Sequence, residues 1–376
     1  MIYADNAATT QLDVDAFEKM KRFLLDDYGN ASQPYSFSRT AKKALKEART
    51  TIAECIGASP EEIFFTSGGT ESDNWAIKGL MTYGDERATV TSKIEHHAVL
   101  NACAAVEKMG FPVVYLPVNQ YGVVLPETLS ETITSNSKLV SIMFANNEIG
   151  TIEPIQQLAL IAHAYGALFH TDAVQAVGHI PIDVKSLEID MLSASGHKFN
   201  APKGVGFLYI RKGTEIHPYA DGGAQEHGMR AGTENVAAIA AMAVALKKNC
   251  DSMQVTHRKL LQMEAEFIQI LDEARIDFIR NGSENRIPGN INISLKGADG
   301  EMLLHRLDLK GICVSTGSAC DSVNTQVSHV IEAIGVPEAY AAGTIRVSFG
   351  ATNCENDARM IAESIVSILT SQLNWK

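Results

Sequence analysis

The sequence predicts an α/β protein: a mostly parallel sheet with helices on both faces, followed by a smaller α+β unit. Three observations predict it. Short apolar runs alternate with amphipathic helical stretches between residues 62 and 194, the signature of repeated strand–helix units. The Gly-, Asn- and His-bearing motifs fall directly after those apolar runs, where open α/β sheets collect ligands beyond the carboxyl ends of their strands. Past about residue 250 the alternation gives way to long helices and two isolated strand signals.

The bulk numbers suit that class. A chain of 376 residues, 45% hydrophobic and 20% charged, can bury a sizeable core. Its length alone suggests roughly two or three domains. The formal charge of −12, without a basic run, argues against nucleic acid or an anionic membrane as partner. Six cysteines, none in a CxxC pair, suit a reducing cytosol, most of them as small buried hydrophobes. Cys313, between Ile312 and Val314, reads as buried. The start of the chain carries no signal-peptide pattern, and no apolar stretch approaches the ~20 residues of a membrane span. A cytoplasmic protein is expected.

In chain order, residues 1–13 are short and turn-rich and could cap or cover something. Val14 to Leu25 reads as an amphipathic helix with Phe17, Met20 and Leu24 on one face. Residues 26–37 read as loop and 38–56 as a helix closed by Gly57. Strands are expected at 62–66, 88–92, 113–118, 139–144, 168–171, 190–194 and 205–210. Helices are expected at 73–81, 94–109 and 155–165. After the Gly-rich stretch 222–235, helices follow at 236–250 and 252–273. Strands at 290–295 and 344–349 and helices at 300–307 and 356–373 complete the chain.

Several stretches carry groups suited to chemistry, each with an ordinary structural alternative. Thr66 to Asn74, TSGGTESDN, joins a strand to a helix through two glycines. That arrangement offers free N–H groups to an anion such as phosphate, or simply caps a helix. Its glycine spacing is not that of a Walker loop. Asp172, ending an apolar strand, could hold a protonated nitrogen or cap the next helix, and Gln175 could set an amide beside the same ligand. His96 and His97 lack a third ligand at helical spacing, so no metal is expected; an imidazole lying over an aromatic ring is the better functional reading. Asn146 and Asn147 follow a buried strand, where Asn also favours turns. Arg346, inside the apolar strand TIRVSFG, wants a carboxylate or phosphate. Ser195, His197 and Lys198 crowd the loop SGHKFNAPKG; a lysine there could form an imine with a carbonyl compound, or sit in a surface hairpin. Cys320, among small residues in STGSACDS, could act as an exposed nucleophile or be an incidental thiol.

Taken together, DNAATT, TSGGTESDN, EHHAVLN, NNEIG, DAVQAVG, SGHKFNAPKGVG, GMRAGTEN and STGSACDS are similar in order and spacing to the cysteine desulfurases, pyridoxal-phosphate enzymes of the class V aminotransferase group. The resemblance covers nearly the whole chain. It implies pyridoxal-phosphate transferase fold type I, with a mostly parallel seven-stranded sheet. It also implies a large cofactor-binding domain over 14–251 and a small α+β domain of 1–13 with 252–376 that carries the Cys320 loop. On the same footing, pyridoxal 5'-phosphate would be linked to Lys198, with His96 stacked on its ring, Asp172 on the pyridine nitrogen and Gln175 on the phenolic oxygen. Gly69, Thr70, Ser195 and His197 would hold the phosphate, joined by Thr233 from the second subunit of a homodimer. Asn147 and Arg346 would hold the carboxylate of L-cysteine, and Cys320 would take the sulfur as a persulfide, leaving L-alanine. The partner so implied is a sulfur-acceptor protein, an iron–sulfur scaffold or another persulfide acceptor.

Two departures stand out. The cysteine loop reads STGSACDS where the family commonly has SSGSACTS, and Asp321 beside Cys320 should disfavour the thiolate. The sequence ends at Lys376, directly after the last expected helix, whereas many members carry a longer tail that meets the iron–sulfur scaffold. A related pyridoxal-phosphate reaction that does not use Cys320 (selenocysteine lyase, cystine lyase or transamination) stays open at this point, as does a non-catalytic binding role.

Overall fold

A computed structural model of the chain describes residues 1–82, 85–317 and 327–373. Among them the order is β1 (Ile2–Tyr3), α1 (Val14–Leu25), α2 (Arg39–Ile56), β2 (Ile63–Thr66), α3 (Gly69–Lys78), β3 (Ala88–Ser92), α4 (His97–Lys108), β4 (Val113–Leu116), α5 (Pro126–Thr132), β5 (Ser137–Ser141), α6 (Ile155–Ala164), β6 (Leu168–Asp172), β7 (Met191–Ser195) and β8 (Gly206–Ile210). There follow α7 (Val236–Glu273), β9 (Phe278–Arg280), β10 (Asn290–Leu295), α8 (Gly300–Asp308), β11 (Ile312–Cys313), α9 (His329–Ala333), α10 (Glu338–Ala341), β12 (Thr344–Ser348) and α11 (Glu355–Leu373).

The central sheet has seven strands in the order β2-β8-β7-β6-β5-β3-β4. Only β8 runs against its neighbours; it pairs antiparallel with both β7 and β2, and the other pairs are parallel. The strands read as continuous apolar runs because both faces are covered. Phe65, Val140, Phe169, Leu192 and Phe207 pack on one side with α2, α6 and the first half of α7. Phe64, Leu139, Met191 and Leu208 pack on the other with α3 and α4. Alternate residues of each strand thus serve opposite layers, which fixes which side chains reach the site at the strand ends.

The chain's second core forms around a three-stranded sheet, β12-β10-β9. It buries Ile291, Ile293, Ile345 and Val347 against α8, α11 and the second half of α7. Ala4, from the start of the chain, belongs to this core too. The link is α7. The sequence suggests two helices broken at Asp251, but α7 is one helix of 38 residues. Asp251 pairs with Lys247 one turn back at 2.5 Å, and the Ser252 hydroxyl donates to the Lys248 carbonyl at 2.9 Å. Both polar residues are satisfied inside the helix and do not break it.

Other differences are local. α3 begins at Gly69, four residues before the expected start, because Gly68 (φ 148°) turns the chain directly off β2. The short α5, α9 and α10 and the strands β1, β9 and β11 have too few residues for periodicity to register. Of the described cysteines only Cys103 is buried; Cys313 is half-buried, since its two-residue strand runs along the edge beside β1.

Candidate active site

The carboxyl ends of the strands open into a cavity of about 260 Å³, lined by Gly69, Thr70, His96, Asn147, Asp172, Gln175, Ser195, His197, Lys198 and Arg346, among others. Each strand end delivers its group by a short, specific turn. β2 turns at Gly68 into α3, whose first N–H groups lack intrahelical acceptors; no side chain among the described residues caps them. The approach is close on all sides. A Cβ on Gly69 would lie 2.6 Å from Val174 Cγ2, and one on Gly206 would lie 2.4 Å from the Ala194 carbonyl and 2.7 Å from Gly68 Cα. Ser195 ends β7 and faces this helix terminus.

β3 leads to His96, the N-cap of α4, whose Nδ1 accepts the Ala98 amide at 3.1 Å. That bond leaves the proton of the neutral ring on Nε2. Burial first, then the nearby Lys198 charge, hold the imidazole below its usual range, against the pull of Asp172. β6 ends at Asp172, whose Oδ1 accepts the Val174 amide at 2.9 Å. Burial raises its carboxyl, and His96 and Lys198 counter that rise. Beside it lies Asp73, a buried residue of α3 on the cavity wall, missed by the sequence reading. Burial and the Asp172 charge push Asp73 well above the usual carboxylate range. Its Oδ1 has no hydrogen-bond partner among the described residues.

Lys198 sits in the tight turn Gly196–Lys198 after β7. Its Nζ donates to the carbonyls of Ala7 at 2.6 Å and Ala8 at 2.9 Å. Gln175 Nε2 donates to the same Ala7 carbonyl at 2.9 Å. His197 Nδ1 lies 3.1 Å from Thr9 Oγ1, and burial with the Lys198 charge pushes its imidazole down to about 4. Ala7 and Ala8, in DNAATT, thus line one wall of the site, while Asp5 and Thr9 on either side meet Arg346 and His197. Their signal was a run of small and capping residues without periodicity, which sequence reading could not place.

Arg346, in β12, is 1% exposed. Its Nη1 donates to the Asn147 carbonyl at 2.8 Å and its Nη2 to Asp5 Oδ1 at 2.7 Å. Asn146 is wholly structural: its side chain accepts the Glu148 and Ile149 amides and donates to the Ile94 carbonyl. Thr233 lies exposed in the loop before α7 and is not among the residues lining the cavity. Cys320 and Asp321 lie outside the described residues.

A family model described as aminotransferase class-V matches residues 2–361. This chain belongs to the class-V aminotransferase family. Among curated relatives, the cysteine desulfurase IscS of Dictyoglomus turgidum is 48% identical, over 100% of this chain and 98% of that protein. The cysteine desulfurase IscS of Methanosarcina thermophila is 45% identical, over 99% and 93%. Among solved structures, a NifS-like protein superposes with a TM-score of 0.92 at 36% identity, over 98% of this chain and 99% of that one. A structure described as SspA in complex with cysteine gives a TM-score of 0.83 at 36% identity, over 93% and 99%. The architecture is pyridoxal-phosphate transferase fold type I, and the class-V enzymes depend on pyridoxal 5'-phosphate.

The residues present fit that cofactor. The side-chain-free cradle at Gly68 and Gly69, at a helix N-terminus beside Ser195 and Thr70, suits a phosphate. Asp172, whose burial disfavours its charge, suits a protonated ring nitrogen that would restore it. The Lys198 amine opens on the same cavity.

Proposed function

We propose that this chain is a pyridoxal-phosphate-dependent cysteine desulfurase that converts L-cysteine to L-alanine and passes the sulfur to Cys320 as a persulfide. The observation that carries the reading is the convergence of Lys198, Asp172 and Arg346 on one cavity, in a chain whose relatives bear the name cysteine desulfurase.

Lys198 would hold the cofactor, and its amine is placed to move the Cα proton of the substrate. His96 would stack on the ring, and its neutral, Nε2-protonated form would do so without adding charge. Asp172 would hold the ring nitrogen, Gln175 the phenolic oxygen, and Gly69, Thr70, Ser195 and His197 the phosphate. Bound there, pyridoxal phosphate supplies an electron sink for charge developing at Cα. Arg346 and the Asn147 side chain hold the substrate carboxylate, which fixes Cα within reach of the lysine. The Cys320 sulfur bonds to the substrate sulfur as the C–S bond breaks; the proton given up by the Cys320 thiol goes to Cβ, which becomes the methyl group, and the Cα proton moved by Lys198 returns to Cα. Cysteine and a thiol thereby become alanine and a persulfide, with no other reactant.

Further parts of the reading rest on the family alone. Thr233 reaches the phosphate of a second subunit in a homodimer. The protein works in the cytoplasm; among the described residues no helix is long and apolar enough to cross a membrane. A large domain spans 14–251, and a small one joins 1–13 to 252–376. The persulfide passes to a partner protein of iron–sulfur or thio-cofactor assembly. Mass spectrometry after incubation with cysteine alone tests the reading: one added sulfur on Cys320 with stoichiometric alanine is expected. Pyruvate and ammonia as products, or full sulfide release by Cys320→Ala with a thiol reductant, would overturn it.

A further inference from the structure

We propose that Asp5 is a positioning residue for the carboxylate subsite: it clamps the guanidinium of Arg346, a residue of the cavity wall, in the one orientation that serves an α-carboxylate. The inference rests on the reading of Arg346 as the substrate's anchor and deepens it.

The geometry is built from both ends of the chain. Arg346 projects from β12, and the segment from Ala4 to Ala7 is laced to that strand two residues further on. The Ser348 amide donates to the Ala4 carbonyl at 2.8 Å, the Asn6 amide to the Ser348 carbonyl at 3.1 Å, and the Ala7 amide to Ser348 Oγ at 2.9 Å. Asp5 and Ser348 form a parallel bridge. This lacing sets the Asp5 carboxylate at 2.7 Å from Arg346 Nη2. The Asn147 carbonyl, from the loop after β5, holds Nη1 at 2.8 Å. Two of the three guanidinium nitrogens are thereby fixed in the plane by groups on two different parts of the fold. The third, Nε, is buried and has no hydrogen-bond partner among the described residues.

A buried charged donor without an acceptor is costly, and such groups are found where a ligand completes them. A planar fork held at two corners presents the rest of its donors in one orientation, which is what a carboxylate needs for paired hydrogen bonds. Asp5 also offsets the guanidinium charge while the subsite is empty of substrate. The same segment reaches Lys198 through the Ala7 and Ala8 carbonyls, so one stretch of backbone indexes the carboxylate anchor against the amine.

The test compares two ligands that differ only in the carboxylate: L-alanine and ethylamine. Binding is measured by calorimetry on protein supplied with pyridoxal phosphate, for wild type, Asp5→Asn and Asp5→Glu, with circular dichroism to confirm the fold. Asp5→Asn is expected to weaken alanine about tenfold and ethylamine less than twofold; Asp5→Glu should show a smaller loss of the same kind. In turnover of cysteine, KM should rise about tenfold with kcat changed less than about twofold. Unchanged alanine affinity, or equal losses for alanine and ethylamine, would overturn the proposal. If Asp5→Asn does not fold, the alanine-to-ethylamine ratio of Asp5→Glu decides alone. Failure of wild type to make alanine from cysteine would instead sink the desulfurase reading, and the binding pair would still report on Asp5.

Discussion

Two regions feed one cavity by different routes. The ends of β2, β3, β6 and β7 bring Gly69, His96, Asp172, Ser195 and Lys198, each within a few residues of a strand that the apolar pattern already marks. The other wall comes from the two ends of the chain: Asp5 meets Arg346 across 341 positions, and Ala7 meets Lys198 across 191. The first region is ordered by strand periodicity and glycine turns, so its geometry follows from local rules. The second exists only because the small sheet takes in the start of the chain. The contrast teaches that the strand-end groups are placed by local turns, whereas Arg346 and Lys198 meet their partners through long-range lacing.

The sharpest way to break this contrast is at Lys198. Lys198→Ala should lower turnover of cysteine by about four orders of magnitude, the upper range for loss of a positioned acid–base group. It should also abolish the borohydride-reducible attachment of the cofactor, read by mass spectrometry. A variant with a tenth of wild-type turnover would show that the strand-end region does not hold the central group. On the other wall, Arg346→Lys keeps the charge but loses the planar fork. We expect kcat/KM for cysteine to fall about 10- to 100-fold, mostly through KM. A fall in kcat alone would place Arg346 with the chemistry and erase the division of labour.

Gly206→Ala probes the close packing of the strand-end region. The new Cβ would meet the Ala194 carbonyl and the Gly68 backbone, neither of which can move like a flexible side chain. A stability loss of about 1–3 kcal/mol is expected by denaturant unfolding, with weaker pyridoxal-phosphate binding. Unchanged stability would mean that the cradle is looser than its contacts indicate.

A fourth effect concerns pH. His170, in β6, is fully buried between Ser141 Oγ at 2.8 Å and Ser193 Oγ at 3.0 Å, and burial pushes its imidazole down to about 3. The folded protein therefore keeps it neutral where the unfolded chain, near its ordinary value of 6.5, takes up a proton. Its contribution is fully present above about pH 6.5 and declines as pH falls towards 3, by up to about 1.4 kcal/mol per pH unit. Unfolding midpoints between pH 7 and 4.5 should fall less steeply in His170→Gln. Equal slopes would assign the acid sensitivity to other groups.

Legibility followed the same divide. Val14–Leu25, Ala88–Ser92 and Asn290–Leu295 have the bounds that periodicity and capping residues indicate, because those signals are local. The motif residues were legible as candidates, since lysine, aspartate and arginine at strand positions conflict with an apolar setting unless something pairs with them. Their partners were not. Arg346 plainly wanted a carboxylate, but nothing near it in sequence named Asp5, and the carbonyls of Ala7 and Ala8 are backbone groups with no compositional trace. Asp73 hid as one polar residue in a helix start, where aspartate is ordinary.

By itself the sequence determined the alternating α/β class, the strand ends where ligands gather and the residue types that gather there, because side-chain period and turn chemistry act over a few residues. Only the tertiary structure decided that α7 runs unbroken between two cores, that Asp73 shares a cavity wall with Asp172, and that Ala7 and Ala8 line that cavity while Asp5 pairs with Arg346. Those outcomes depend on which distant surfaces bury each other, and burial is a property of the packed chain rather than of any window along it.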